Sequence, residues 1–311
     1  MRVIQIILLS FLILLVPGIA GSGSEPDILL LNSDASIEKY RAAQEEYTKT
    51  ISHPVAEYTI DGFSGEISEL YRKISRGPHR LIYCIGTNAY LTAIEHAPEK
   101  TILFSSIINW RRLPRKETVF GISNELHPAM HLMHFQNIFP KIKNIGVLYS
   151  REFNEQWIAL AKEAAEKSGL RIISEAVMDI DQTDETLKKI LPEIDALWLI
   201  PDPIIISSRK NLINIIRICD PNKTPVFSYN TAYAKLGATL IVAVDDSTVG
   251  RQAAVMSDNL LAGRVLPENV QHPAGSQITV NLDKVKVFGI PYQQEALDTV
   301  NTIFESADAD D

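Results

Sequence analysis

The sequence predicts an α/β protein built as two lobes, each a parallel sheet flanked by helices. Three observations lead there. Short apolar runs alternate with polar-spaced, helix-like stretches along the chain. Several runs, such as Ile28-Leu29-Leu30-Leu31 and the segment NIGVLY at 144–149, are apolar almost throughout, as strands buried on both faces of a parallel sheet must be. The strands are too many for one sheet, and 311 residues are enough for two domains.

The elements follow in order. Asp27 to Leu31 is a strand closed by Asn32-Ser33-Asp34. A helix over Ser36 to Ser52 follows, and Ser33, Asp34 or Ser36 can cap it, because a short side-chain oxygen accepts a first-turn N–H. Val55 to Ile60 is a strand, and Gly65 to Ser75 a helix stopped by Gly77-Pro78. Arg80 to Ile85 is a strand, Gly86-Thr87-Asn88 opens a helix over Ala89 to His96, and Thr101 to Ile107 is a strand. In the second half His127 to Phe139 is a helix ended at Pro140, Asn144 to Tyr149 a strand, and Phe153 to Ser168 a helix with Gly169 just beyond it. Arg171 to Val177 (strand), Asp184 to Leu191 (helix), Ala196 to Ile200 (strand), Ile206 to Cys219 (helix) and Pro225 to Ser228 (strand) continue the rhythm.

The two ends read differently. Met1-Arg2, an apolar stretch from Val3 to Val16, and the small residues Gly18 and Ala20 make residues 1–20 a signal peptide. The stretch is short for a membrane span, which needs about 20 residues. With no Cys at the exit, the expectation is a periplasmic protein, secreted and not lipid-anchored. Residues 306–311 (SADADD) read as a disordered acidic tail. A net charge of −8 without a basic cluster argues against nucleic acid or an anionic membrane as partner. Cys84 and Cys219, the only two cysteines, lie in apolar stretches and read as buried free thiols.

Ligands of open parallel sheets bind at the carboxyl ends of strands, so the residues there are the candidates. They are Asn32-Ser33-Asp34, Gly86-Thr87-Asn88, Ser105-Ser106, Tyr149-Ser150-Arg151, Pro201-Asp202 and Ser228-Tyr229-Asn230. Most are uncharged hydrogen-bonding groups, and several precede helices whose free N–H groups favour an anion. That set suits holding a small polar solute better than breaking bonds. The nucleophile elbow, the P-loop and the zinc-protease motif are all missing from the sequence, so the protein is not expected to be an enzyme or to need a cofactor. Asp245-Asp246 could serve as an acid–base pair or simply start a helix with Asp as its cap. His127, His131 and His134 share a helix face and would suit a transition metal, but no local Cys or carboxylate completes a ligand set apart from Glu125; a polar or half-buried helix face is the expectation, with no metal.

The last third runs Thr224-Pro225-Val226-Phe227-Ser228, Gly237-Ala238, Gly250-Arg251-Gln252-Ala253-Ala254, Leu261-Ala262-Gly263, Val280-Asn281-Leu282 and Phe288-Gly289-Ile290-Pro291. Ile85-Gly86-Thr87, Gly121-Ile122-Ser123, Phe139-Pro140, the strand Ile145 to Tyr149 and Asp195-Ala196-Leu197-Trp198 precede it in the same order. This resembles the ABC transporter substrate-binding proteins whose best-known members bind tryptophan and other aromatic amino acids. The resemblance implies a type I periplasmic-binding-protein fold with the ligand in a cleft between the lobes. Lobe one would hold 25–122 and 238–268, lobe two 123–237 and 269–305, with Gly237-Ala238 and Pro273 to Thr279 as hinge strands. It departs from the family at Asn88, where Pro is usual, and at Ser105-Ser106, where Asp-Pro is usual. The implied function is capture of a small polar, amino-acid-like solute, aromatic ones included, by a monomer that serves an ABC permease in the inner membrane. Asn32, Thr87, Asn88, Ser105 and Ser106 would contribute from lobe one, and Tyr149, Asp202, Ser228, Tyr229 and Asn230 from lobe two, with Asp202 on the ligand amine. A ligand-sensing subunit docked to a membrane receptor or kinase is the alternative.

Overall fold

The computed structural model describes residues 26–305. The leader expected over 1–20 and the tail over 306–311 lie outside the described residues. The chain first lays down β1 (Ile28–Asn32), α1 (Glu38–Thr50), β2 (Val55–Thr59), α2 (Ile67–Arg76), β3 (Leu81–Ile85), α3 (Thr87–His96), β4 (Thr101–Ser105) and β5 (Val119–Ile122). It then builds α4 (Pro128–Ile138), β6 (Asn144–Tyr149), α5 (Arg151–Lys167), β7 (Arg171–Ala176), α6 (Thr183–Ile190), β8 (Ala196–Trp198), α7 (Arg209–Cys219), β9 (Val226–Ser228) and β10 (Leu240–Val244). α8 (Asp246–Leu261) and β11 (Val270–Gln271) return to the first lobe, and β12 (Ser276–Asn281), α9 (Leu282–Phe288) and β13 (Thr302–Phe304) finish the second.

The first sheet has the order β11-β5-β4-β3-β1-β2 and is parallel throughout. The second has the order β13-β12-β10-β9-β8-β6-β7, and it is parallel except where β10 meets β12. Successive strand residues point to opposite faces, so an apolar run feeds two cores at once. Ile28 and Leu30 join a core with Tyr47 of α1 and Val249 of α8. Leu29 and Leu31 join another with Leu70 of α2 and Ala93 of α3. In the second lobe α4, α5 and α9 cover one face, and α6 and α7 the other. The type I periplasmic-binding-protein architecture is the one the resemblance implied.

Three expectations are corrected. The lobe boundary falls at 244–246, not at 238, because Leu240–Val244 hydrogen-bonds between β9 and β12 in the second sheet. Gly237 is not in a hinge strand. Its positive φ of 106° closes the turn before β10, and Ala238 is buried in the second lobe's core. The chain crosses between lobes at 123–127, at Asp245 and at 272–275, so the second half of the expected hinge, 276–279, is already sheet. The third correction is at α1. None of Ser33, Asp34 or Ser36 caps it; Ile37 stands at the cap, and Asp34 instead accepts bonds from the N–H and hydroxyl of Ser36.

Cys84 on β3 and Cys219 at the end of α7 are free, buried and in different lobes. Loss of water pushes both thiols up, that of Cys219 to about 12, which keeps them unreactive.

α8 lies against α1, with Gly250 facing the backbone of Ala43 and Tyr47. Tyr47 stacks on Tyr83 of β3 at 4.2 Å and donates to Ser257 of α8 at 2.9 Å. A methyl group at 250 would collide with the Ala43 carbonyl, which is backbone and cannot swing away. Gly250→Ala should therefore cost about 1–3 kcal/mol despite its better helix propensity. Urea denaturation checks this, and a more stable variant would show that the helices can part without cost.

Candidate functional site

A cavity of about 200 Å³ lies between the lobes. Lobe one contributes Lys39 from the first turn of α1, Ile108 from the loop after β4, and Asp246, the first residue of α8. The crossover segment adds Asn124, Glu125 and Leu126. Lobe two contributes His131 of α4, Trp157 of α5, Pro201 after β8, and Tyr229, Asn230 and Thr231 after β9, over a floor of β10 residues Val242 to Val244. A wider groove of about 600 Å³ adjoins it, sharing Glu125 and Trp157 and carrying Arg111, Arg112 and Arg151.

The walls are chemically mixed. Trp157 stacks edge-on against the buried Trp198, with ring centroids 4.8 Å apart, which holds its indole in place. Glu125 pairs with Arg111 at 2.8 Å. Among the described residues the Asp246 side chain makes no ion pair or hydrogen bond. Burial pushes its carboxyl up to about 6, with Lys39 pulling it back and Asp245 and Glu38 adding to the rise. Burial, and then the hydroxyl of Tyr233, push the Tyr229 phenol well above its ordinary range, so Tyr229 meets a ligand as a neutral hydroxyl. His131 is buried against Trp198 and Phe135, which drives its pKa down to about 3, and its Nδ1 has no hydrogen-bond partner.

Of the ten residues expected from the sequence, Tyr229 and Asn230 line this cavity. The Asn230 side chain also accepts the N–H of Ala232. Asn32 is buried within lobe one, donating to Gln44 at 2.6 Å and accepting from the backbone of Asp34. Ser105 is buried against the Tyr83 hydroxyl at 2.8 Å. Thr87 and Asn88 open α3, half-buried and exposed respectively. Ser106 holds a positive φ of 58°, a strained state for a residue with a side chain, and its buried hydroxyl has no partner. The Ser228 hydroxyl is buried and unpartnered as well. Tyr149 donates to Glu155 at 3.2 Å.

Asp202 is a correction. Its carboxylate is fully buried and already accepts five bonds: Ser150 N–H and hydroxyl at 2.7 Å each, Asn154 Nδ2 at 2.8 Å, and the N–H groups of Ile204 and Ile205 at 2.9 and 3.2 Å. Those donors consume it, so it ties the loop after β8 to the start of α5 and leaves nothing for a ligand amine. The three histidines divide likewise. His127 Nδ1 accepts from Ala129 at the start of α4 and its ring meets His272 edge-on, His131 is buried, and His134 lies 2.9 Å from the Ser276 hydroxyl. Among the described residues no cluster of three His, Cys, Asp or Glu could hold a metal ion.

Lys39 and Trp157 were missed because they lie in the first two turns of helices, not directly behind strands, whereas Asp246, two residues behind β10, was weighed only as one of an acid–base pair or as part of a helix start. A signal was available, since a helix that follows a strand starts at the sheet's carboxyl edge and its first turn must overhang the same crevice.

Comparison with known proteins places the fold. The model of the ABC transporter substrate binding protein family matches residues 51–303, and the chain belongs to that family. A ligand-free, open substrate-binding protein with adhesive properties from Clostridium difficile superposes with a TM-score of 0.68 at 17% identity, covering 90% of this chain and 100% of that one. An ABC domain in complex with L-Trp from Streptococcus pneumonia superposes with a TM-score of 0.54 at 18% identity, covering 89% and 99%. An uncharacterized protein of Rickettsia prowazekii (strain Madrid E) is 23% identical over 193 residues, 61% of this chain, and the match spans 60% of that relative's length. The protein is thus an ABC-type substrate-binding protein for a solute, and no helix among the described residues is long and apolar enough to cross a membrane.

If Asp202 serves the fold, Asp202→Ala strands five donors, three of them in buried bonds. It should cost on the order of 3 kcal/mol or more in urea denaturation. A loss below about 1 kcal/mol would show that the network is not structural.

Proposed function

We propose that the protein is the exported capture component of an ABC importer, closing its lobes on a small polar solute of amino-acid type and presenting the closed form to the permease. The observation that carries this is the cavity walled by both lobes. Contacts to Lys39 and Asp246 on one side and to Trp157, Tyr229 and Asn230 on the other come together only when the lobes approach, so a solute that touches both favours closure. Trp157 and Tyr229 offer flat apolar faces with hydrogen-bonding edges, which suits an aromatic or apolar side chain. The Streptococcus pneumonia neighbour, with the same fold, was captured with L-Trp, which supports the amino-acid reading. Capture and release require no covalent step. The protein would work as a monomer, free in the periplasm after loss of its leader.

A thermal-shift screen against amino acids, sugars, nucleosides and short peptides tests the reading. A true solute at about 100 times its Kd adds about 2.7 kcal/mol and raises the midpoint by several degrees. The solute recovered afterwards should be chemically unchanged. A flat response to every class, or turnover of the solute, would sink the proposal.

A further inference from the structure

We propose that Asp246 is the subsite for a cationic group of the captured solute, an ammonium, on the cavity wall opposite Trp157 and Tyr229. This rests on the reading of the interlobe cavity as the solute site.

Four observations carry it. First, Asp246 is not needed as a helix cap. Asp245 holds that position, accepting the N–H of Ser247 and the hydroxyl of Thr248. Second, the cation nearest on the same helix is spent elsewhere: Arg251 pairs with Glu46 at 2.8 Å and approaches Asp245 at 3.8 Å. Third, Lys39 lines the same cavity, its ammonium 5.0 Å from the centre of the Tyr40 ring, and forms no ion pair with Asp246, so the wall presents an anion and a cation that are not joined to each other. A zwitterion can answer both. Fourth, His131 on the facing wall is 5% exposed with Nδ1 unpartnered, a second polar group left unsatisfied at the same cavity. A half-buried carboxylate without a partner is costly, and a bound ammonium removes that cost.

The titratable surroundings give the pH dependence. Glu38, Lys39 and Tyr40 face Asp246 from α1, Tyr83 from β3, and Asp245 from its own helix. On the cavity wall Glu125 is paired with Arg111, and His131 and Tyr229 are uncharged near neutral pH. Burial first, with Asp245 and Glu38 adding to it and Lys39 opposing it, pushes the Asp246 carboxyl up to about 6. An ammonium binds the ionised form, so protons compete with it. Affinity should be level above about pH 7 and fall by up to about tenfold per unit below 6.

Calorimetry on the protein with the twenty L-amino acids tests this, each binder being followed by its deaminated acid, a pH series from 7.5 to 5, and Asp246→Asn. The proposal expects the deaminated acid and the variant each to bind about tenfold or more weakly, and the pH dependence to disappear in the variant. The unliganded variant should melt at or above the wild-type midpoint, because it loses a poorly solvated charge. Equal binding of the deaminated acid, a variant within twofold of wild type, or wild-type affinity unchanged down to pH 5 would overturn it; the pH series does so without any variant. If only uncharged solutes such as sugars bind, the cleft reading stands and the Asp246 assignment falls. If no solute of any class binds, both fall.

Discussion

The packing of α8 on α1 is the contact on which the architecture rests. The upper face of the first sheet, with Ile28, Leu30, Leu81 and Tyr83, is closed by a helix encoded only after most of the second lobe. The chain must therefore return, and β11 joins the first sheet's edge by the same route. This return makes three connections between the lobes where simple tandem domains would have one. It also decides where the site lies. Once Gly250 fits against the Ala43 backbone, the start of α8 is pinned at the mouth between the lobes, and Asp246 with it.

Acid residues near the cleft then take separate roles according to the donors each can reach. Asp202 has five donors and stabilises the loops of lobe two. Asp245 caps α8, and Glu125 pairs with Arg111. Among the described residues the Asp246 side chain has no hydrogen-bond donor and no ion pair, only the more distant pull of Lys39, and it carries the cost of partial burial. Acidic side chains thus serve the fold in three places, and the fourth, Asp246, is the one proposed to meet the solute.

Much of the scaffold was legible in the sequence. The near-continuous run before Asn32 and the NIGVLY segment are strands, and Cys84 and Cys219 are buried free thiols in separate lobes. Gly86 was visible as the turn into α3; its φ of 85° and the Ser33 hydroxyl 2.7 Å from where a Cβ would stand exclude other residues there. The site was less legible. Strand-end logic found Tyr229 and Asn230 but promoted Asp202, because sequence shows that a carboxylate lies behind a strand and not how many donors surround it. Lys39 and Trp157 escaped because their place on the cavity wall depends on how one lobe faces the other.

What the sequence by itself determined is local: the period of the apolar pattern, the helices and strands it implies, and the two-sided burial that marks the strands of largely parallel sheets. What only the tertiary structure decided is which surfaces meet. Leu240–Val244 is a strand in either lobe by its pattern, and its hydrogen bonds to β9 and β12 assign it to the second. Asp245-Asp246 could be a cap or a reactive pair by its composition, and the crossover separates them into a cap and a cavity wall. The physical reason is the same in both cases. Apolar periodicity acts between near neighbours, whereas donors, cations and cavities are supplied by chain segments far away in sequence.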